Sequence, residues 1–181
     1  MSMNSRSPEL VLPAASLVTL RRSLIERLGA EAASGALQQA GHAAGDAFHQ
    51  LLTDAGRHDG LGEVPESDFW RRLNELLAAR GWGQIEFERA HEGIGAIVAS
   101  HWAESDPDEH APSPSCFLST GLFSNLLGHV AGRDVAVFEV ECRSRGDARC
   151  RFFFGGIDTL DILYDAISRG QDVPAALASL R

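Results

Sequence analysis

Residues 116–152 read CFLSTGLFSNLLGHVAGRDVAVFEVECRSRGDARCRF and contain all three cysteines of the 181-residue chain. The first half of this stretch has apolar residues at helical spacing and ends at Gly132, which favours a helix with a glycine stop. Two strands are predicted next, at 134–141 and 150–154, and Gly146-Asp147 supplies turn chemistry between them. The stretch therefore predicts one helix followed by an antiparallel hairpin.

Three thiols and one carboxylate of this stretch can converge. Cys142 and Cys150 flank the hairpin turn, Cys116 opens the helix, and Glu139 lies on the strand that leads to Cys142. Thiolates and a carboxylate are suitable tetrahedral zinc ligands, although three unrelated buried thiols are the alternative from spacing alone. In a regular strand Glu139 and Cys142 point to opposite faces, so a shared site requires a bulge or a strand end near Cys142. Glu141 has the same parity as Glu139 and gains no advantage.

The rest of the chain predicts an α+β fold. Helices are predicted at 17–28, at 31–54, from Ser67 to Gly81 and around 160–167; a loop is predicted at 55–66, and a hairpin at 84–98 turns at Glu92-Gly93. Helices and strands occur in blocks without βαβ alternation, which indicates N-terminal helices packed on an antiparallel sheet. We expect one domain over residues 1–181, with a flexible N-terminus at 1–13.

Composition limits the classes of partner. The net charge is -9 and the pI is near 5.2, which argues against nucleic acid, because phosphate backbones are bound by clustered Lys and Arg. No apolar run approaches the roughly 20 residues that span a bilayer, and the N-terminus lacks the apolar core of a signal peptide. We therefore expect a cytoplasmic protein without a membrane segment.

The Gly-Arg before the strand, Glu-x2-Cys and Gly-x3-Cys-x-Phe make residues 116–152 resemble the C-terminal half of the 4-vinyl-reductase domain family. The family includes sensory domains of phenol- and xylene-responsive activators, and its fold is similar to that of transport protein particle subunits. The resemblance implies a structural zinc ion held within a core motif at 116–154. It assigns the ligands residue by residue to Cys116, Glu139, Cys142 and Cys150, and so selects Glu139 over Glu141.

The same resemblance points to a ligand site. The related sensors hold phenol with a His and a Trp, which His101 and Trp102 match by type beside an acidic, three-proline loop at 103–115. We expect Trp102 at the rim of an apolar cavity between the helices and the sheet, with this loop as an exposed lid. Five aromatic residues are further candidates for the lining, although core packing is the alternative for each: Phe69, Trp70, Phe87, Phe117 and Phe123.

Small residues recur in the second helix, with Gly35, Gly41 and Gly45 among them. Small side chains let another helix approach closely, either within the chain or across a dimer seam. Because the resembled sensors dimerise, we predict a homodimer formed through the N-terminal helices, with Gly41 and Gly45 near a close helix contact.

No dinucleotide, phosphate-loop or flavin motif accompanies these features, so the sequence favours a binding module over an enzyme. We expect a standalone sensor or carrier that binds a small hydrophobic or aromatic molecule and whose output depends on a separate effector protein. An enzyme or accessory of tetrapyrrole (bacteriochlorophyll) metabolism and a protein-interaction scaffold are the alternatives.

Overall fold

The computed structural model describes residues 9–55 and 64–180. The helices and strands in these residues are α1 (Ala14–Leu28), α2 (Ala30–Ala55), α3 (Glu66–Ala79), β1 (Gln84–His91), β2 (Ile94–Ser100), α4 (Phe117–Ala131), β3 (Ala136–Glu141), β4 (Cys150–Gly155), α5 (Ile157–Ser168) and α6 (Val173–Ala178). No helix within the described ranges is long and apolar enough to cross a bilayer.

The predicted α+β fold is confirmed. The four strands form an antiparallel sheet in the order β1-β2-β4-β3, so the last strand of the chain lies between the second and the third. The first hairpin turns at Glu92 and Gly93 as predicted, and Gly93 has the positive φ of 75° that such a turn requires. Residues 1–8 of the predicted flexible N-terminus and 56–63 of the predicted loop lie outside the described residues.

Two details of the helices differ from the expectations based on sequence. Pro65, not Ser67, occupies the N-cap of α3, and no side chain caps this helix. The residues after α5 contain a further short helix, α6, whose N-cap Asp172 accepts a hydrogen bond from the backbone N–H of Ala175. The first difference arises because proline also begins helices well, since it has no N–H to satisfy there.

Helices cover both faces of the sheet. The inner face packs against α3 and α4, and its core combines Leu73 and Leu77 of α3 and Phe123 of α4 with Ile97 and Phe152 of the sheet. The outer face packs against α5 and α6 through a separate cluster that includes Phe153, Leu160 and Ala176. Alternate residues of each strand therefore serve different cores.

Glycines allow α2 and α4 to touch at backbone distance. A Cβ atom added to Gly41 would lie 1.9 Å from the backbone oxygen of Leu118, and one added to Gly121 would lie 2.0 Å from that of Gln38. At Gly45 it would meet the side chain of Asn125. The close helix contact predicted at Gly41 and Gly45 is thus made within the chain. The homodimer prediction had placed Gly41 and Gly45 near the contact between two chains, whereas the structure places them against α4 of the same chain.

Candidate functional site

The four predicted ligand residues come together in the structure. Cys116 is the N-cap of α4, Glu139 is on β3, Cys142 follows β3, and Cys150 begins β4. All four are buried, and one potential ligand atom from each lies within 4.8 Å of the others. The Cys116 sulfur is 3.8 Å from the sulfurs of both Cys142 and Cys150. These sulfurs are too far apart for disulfides, whose S–S bond is about 2.05 Å.

A bulge on β3 brings Glu139 and Cys142 to the same face. Glu139 pairs with Phe152 and Glu141 with Arg151, so one extra residue is inserted into β3 between these pairs. Glu141 consequently turns to the other side, where it forms ion pairs with Arg149 and Arg151. The required irregularity is therefore present, and it explains why Glu139 joins the cluster and Glu141 does not.

Asp147 fixes the end of this hairpin. Its carboxylate accepts hydrogen bonds from the backbone N–H of Cys142 at 2.7 Å and from Nε of Arg145 at 2.9 Å. Gly146 next to it has a φ of 101°, which an L side chain rarely adopts. The turn residues therefore position Cys142 as well as reversing the chain.

Burial makes the Glu139 carboxylate unfavourable by itself. Its Oε2 accepts a hydrogen bond from the backbone N–H of Cys116 at 2.9 Å, whereas its Oε1 is buried without any partner. Burial, reinforced by the charge of Cys142, holds the pKa of Glu139 well above its usual range. Burial likewise raises the pKa of the Cys116 thiol, and the thiols of Cys142 and Cys150 nearby add to it. The cluster thus concentrates buried groups whose charged forms require a compensating cation.

The donor set fits a zinc ion. Ligands about 2.3 Å from a tetrahedral centre are about 3.8 Å apart, which agrees with the spacing of the sulfur atoms. A dication would also satisfy the orphaned Glu139 oxygen and stabilise the thiolates. Four protein ligands would leave no open position for a substrate, so the cluster fits a structural site rather than a catalytic one.

The 103–115 loop is fastened at several points. The buried carboxylate of Glu104 accepts hydrogen bonds from the N–H groups of Leu118 and Ser119, at 2.8 Å each, in the first turn of α4. The buried Arg21 of α1 donates to the Glu104 carbonyl at 2.6 Å and pairs with Glu109. This loop therefore joins α1 to α4, and it is only partly exposed: Glu104 and Ser115 are buried, whereas Pro107, Asp108 and His110 are at the surface. Sequence reasoning missed the role of Glu104, because one glutamate in a stretch with several acidic residues looks no different from its solvent-exposed neighbours.

His101 and Trp102 lie at this same end of the sheet. The Trp102 ring is 1% exposed, donates from Nε1 to the Ser119 hydroxyl at 2.8 Å, and packs on Phe123. His101 is exposed, with a positive φ of 52°. Of the two remaining aromatic candidates near this end, Phe123 is fully buried and Phe117 is half-buried at the start of α4.

An apolar pocket of about 380 Å³ opens at the other end of the sheet. Phe69 and Trp70 of α3, Phe87 of β1 and Phe154 of β4 line it, and Trp70 stacks on Phe87 with ring centres 4.8 Å apart and planes 6° apart. The structure therefore brings together three of the predicted aromatic residues. Trp102 does not line this pocket. It follows Ser100, which pairs with Gln84 at one end of the β1–β2 hairpin, whereas the pocket lies at the other end, near His91. Trp102 is therefore a buried core residue remote from this pocket.

The comparisons with known proteins agree with this architecture. The family model of the 4-vinyl-reductase domain matches residues 107–155, and none of the curated proteins compared matches the chain. The phenol-responsive sensory domain of the transcription activator PoxR, solved with phenol, is 19% identical; the alignment covers 91% of this chain and 84% of that one, with a TM-score of 0.70.

Two further solved structures are similar to the chain. Subunit 3 of a trafficking protein particle complex from Naegleria fowleri, covalently bound to palmitic acid, is 15% identical over 78% of this chain and 89% of its own, with a TM-score of 0.59. A vinyl-4-reductase family protein from Methanocaldococcus jannaschii is 19% identical over 61% of this chain and 78% of its own, but its TM-score of 0.42 is too low to bear on the fold. The predicted resemblance is thus confirmed: residues 107–155, which contain the four-residue cluster, match the 4-vinyl-reductase domain, and the chain shares its fold with the PoxR sensory domain and this trafficking-complex subunit.

Proposed function

We propose that this chain is a zinc-stabilised sensor or carrier domain that takes a small hydrophobic or aromatic molecule into the pocket between α3, α4 and the sheet. The observation that carries this proposal is the pocket itself, whose volume of about 380 Å³ lies in the range of small-molecule sites and whose walls are mainly aromatic and aliphatic. The phenol bound by the PoxR domain is consistent with a ligand of this class.

Blocking the pocket tests this proposal. Val130 of α4 lines it and is half-buried, so Val130→Trp should fill the space. We expect two-ring aromatic compounds to raise the melting temperature of the native protein and to leave that of Val130→Trp unchanged. Leu28→Trp is the matched control, because Leu28 is an exposed residue of α1 that does not line the pocket. The proposal fails if no aromatic compound binds, or if both variants respond like the native protein.

We further propose that Cys116, Glu139, Cys142 and Cys150 hold one structural zinc ion. This rests on the spacing of the sulfurs and on the unpaired Glu139 oxygen. When bound, the ion joins the C-terminal hairpin to the start of α4. Its binding free energy adds to folding stability, because the site forms only when these elements have packed.

Two neighbouring glutamates of β3 provide a matched test of the zinc site. Glu139→Gln removes the charge of a proposed ligand, whereas Glu141→Gln removes an equal charge from the opposite face. We expect Glu139→Gln to lose zinc to a chelator at least about tenfold more readily and to melt at a lower temperature after chelation. Glu141→Gln should retain native zinc content. Equal zinc retention by the two variants would contradict the assignment of Glu139.

The homodimer remains a proposal, now supported by a different surface. Leu10, Val11 and Leu12 precede α1 with exposed fractions of 81%, 94% and 54%, and Leu20 on α1 is 48% exposed. Burying these exposed apolar side chains against a second copy would be favourable. We expect sedimentation at micromolar concentration to show a dimer that Leu20→Glu weakens; a native protein that sediments only as a monomer would exclude it.

A further inference from the structure

The apolar pocket has cationic side chains at its mouth. Arg89 of β1 and Arg133 after α4 both line it, together with His91, and Glu66 is the acidic residue among the lining side chains. Within the part of the chain that the structure describes, neither the Arg89 nor the Arg133 guanidinium forms an ion pair or a side-chain hydrogen bond. Although the protein has a net charge of -9, these two guanidinium groups line one cavity and are available to bind a molecule in it.

The strand geometry directs one of these charges toward the pocket. Phe87 and Arg89 are two residues apart on β1, so both project to the pocket side. The intervening Glu88 projects to the outer face and there pairs with Arg151. Arg149 and Arg151 of the outer face are thus neutralised by nearby glutamates, whereas no carboxylate in residues 9–55 or 64–180 pairs with Arg89.

Aromatic surfaces face these charges. A Cβ atom on Gly95 of β2 would lie 2.2 Å from Cζ of Phe154, so glycine at this position is what allows the Phe154 ring to lie across the sheet. Phe154 and the stacked pair of Trp70 and Phe87 form one continuous aromatic wall, with ring centres 5.7 and 6.1 Å from Phe154. A planar ring can stack against such a wall, while a polar substituent points to the mouth.

We propose that the ligand of this pocket is an aromatic carboxylate, whose ring contacts Trp70, Phe87 and Phe154 and whose carboxylate is bound by Arg89 and Arg133. The inference rests on the proposed function, because it identifies the chemical class of the small molecule. A guanidinium group matches a carboxylate with two parallel hydrogen bonds and remains charged at any physiological pH. Among the lining residues that the structure describes, the two arginines outnumber the one carboxylate, that of Glu66, so an anion is preferred to a cation of the same shape.

Three probes of one shape separate charge from ring binding. We would titrate the protein by calorimetry with 2-naphthoate, with 2-naphthalenemethanol and with 2-naphthylmethylamine, which are anionic, neutral and cationic at neutral pH. We expect 2-naphthoate to bind about tenfold more tightly than the alcohol, with the amine weakest. Raising the salt concentration should weaken the binding of 2-naphthoate and leave the alcohol unaffected, because both arginines are exposed enough to be screened.

Arginine variants locate the effect. Arg89→Gln should weaken 2-naphthoate about tenfold without changing the alcohol, and Arg89→Lys should recover part of the loss because it restores the charge without the planar fork. Arg27→Gln is the matched control, since Arg27 is an exposed arginine of α1 that does not line the pocket. It should leave both affinities unchanged.

The outcomes distinguish the two proposals. Equal affinity for 2-naphthoate and the alcohol, or tighter binding of the amine, would overturn the carboxylate inference and leave the binding function intact. An equal loss of 2-naphthoate affinity in Arg89→Gln and Arg27→Gln would also overturn it. If none of the three probes binds, both the inference and the proposed function are rejected.

Discussion

We expect Gly41→Ala to destabilise the protein although alanine is the better helix former. The new methyl group would lie 1.9 Å from the backbone oxygen of Leu118, and that oxygen would have to recede by about 1.5 Å to reach an ordinary contact distance of 3.4 Å. Backbone atoms of α4 cannot rotate away as a side chain can, so the two helices must separate along their contact.

The magnitude follows from two opposing effects. Forcing a methyl group into a close-packed contact costs about 3 kcal/mol, at the upper end of the usual range because backbone must move. Replacing glycine by alanine within a helix returns about 1 kcal/mol. We therefore expect the free energy of unfolding of Gly41→Ala to fall by about 2 kcal/mol.

Gly35→Ala is the control on the same helix. Gly35 is exposed, and a Cβ atom there would meet nothing within 4 Å, so the substitution should stabilise the protein by about 1 kcal/mol. The two variants should then differ by about 3 kcal/mol in denaturant unfolding, or by about 6–12 °C in melting temperature. Equal stabilities would refute the close approach of α2 and α4.

Two further predictions concern side chains of the inner core and of the α2–α4 surface. Trp102→Phe should lower the free energy of unfolding by about 1–2 kcal/mol, since it loses the hydrogen bond to Ser119, and should leave 2-naphthoate affinity unchanged; a lost affinity would place Trp102 in the ligand site. Burial, followed by the charge of His129 and opposed by Asp46, lowers the pKa of His49. The unfolded chain therefore binds more protons, so stability from this group is present above about pH 6.5 and is lost as pH falls toward the folded-state pKa. His49→Phe should flatten the melting temperature between pH 7 and pH 5; an unchanged slope would exclude His49 as the cause.

Much of the fold followed from local patterns. Helical spacing located α1, α2 and α3 within a few residues, and alternation located the β1–β2 hairpin. The order β1-β2-β4-β3 could not be derived in this way, because strand pairing between β2 and β4 is a long-range choice that no short pattern encodes. The glycines of α2 showed that something approaches closely, but not whether it belongs to the same chain.

The candidate site was predictable where it depends on residue types that can ligate a metal. The cysteines were found because thiolates have a definite chemistry, and Glu139 because the family resemblance selected it over Glu141, whereas the buried contacts of Trp102 and of the 103–115 loop were not foreseen. Which end of a sheet a side chain reaches depends on the register of pairing, and Glu104 and Arg21 act through contacts between elements far apart in the chain. The charged mouth of the pocket was missed for the same reason, since Arg89 and Arg133 are 44 residues apart.

The central position of β4 has a consequence for the growing polypeptide. During translation the β1–β2 hairpin emerges first and presents β2 with one open edge, which only residues 150–155 later occupy. Two strands alone are marginally stable in water, so the sheet completes late, when β4 enters between β2 and β3. Cys150 lies on this same strand. A nascent chain halted before Cys150 would therefore carry an unprotected strand edge and an incomplete four-residue cluster, and would be prone to aggregation until synthesis resumed.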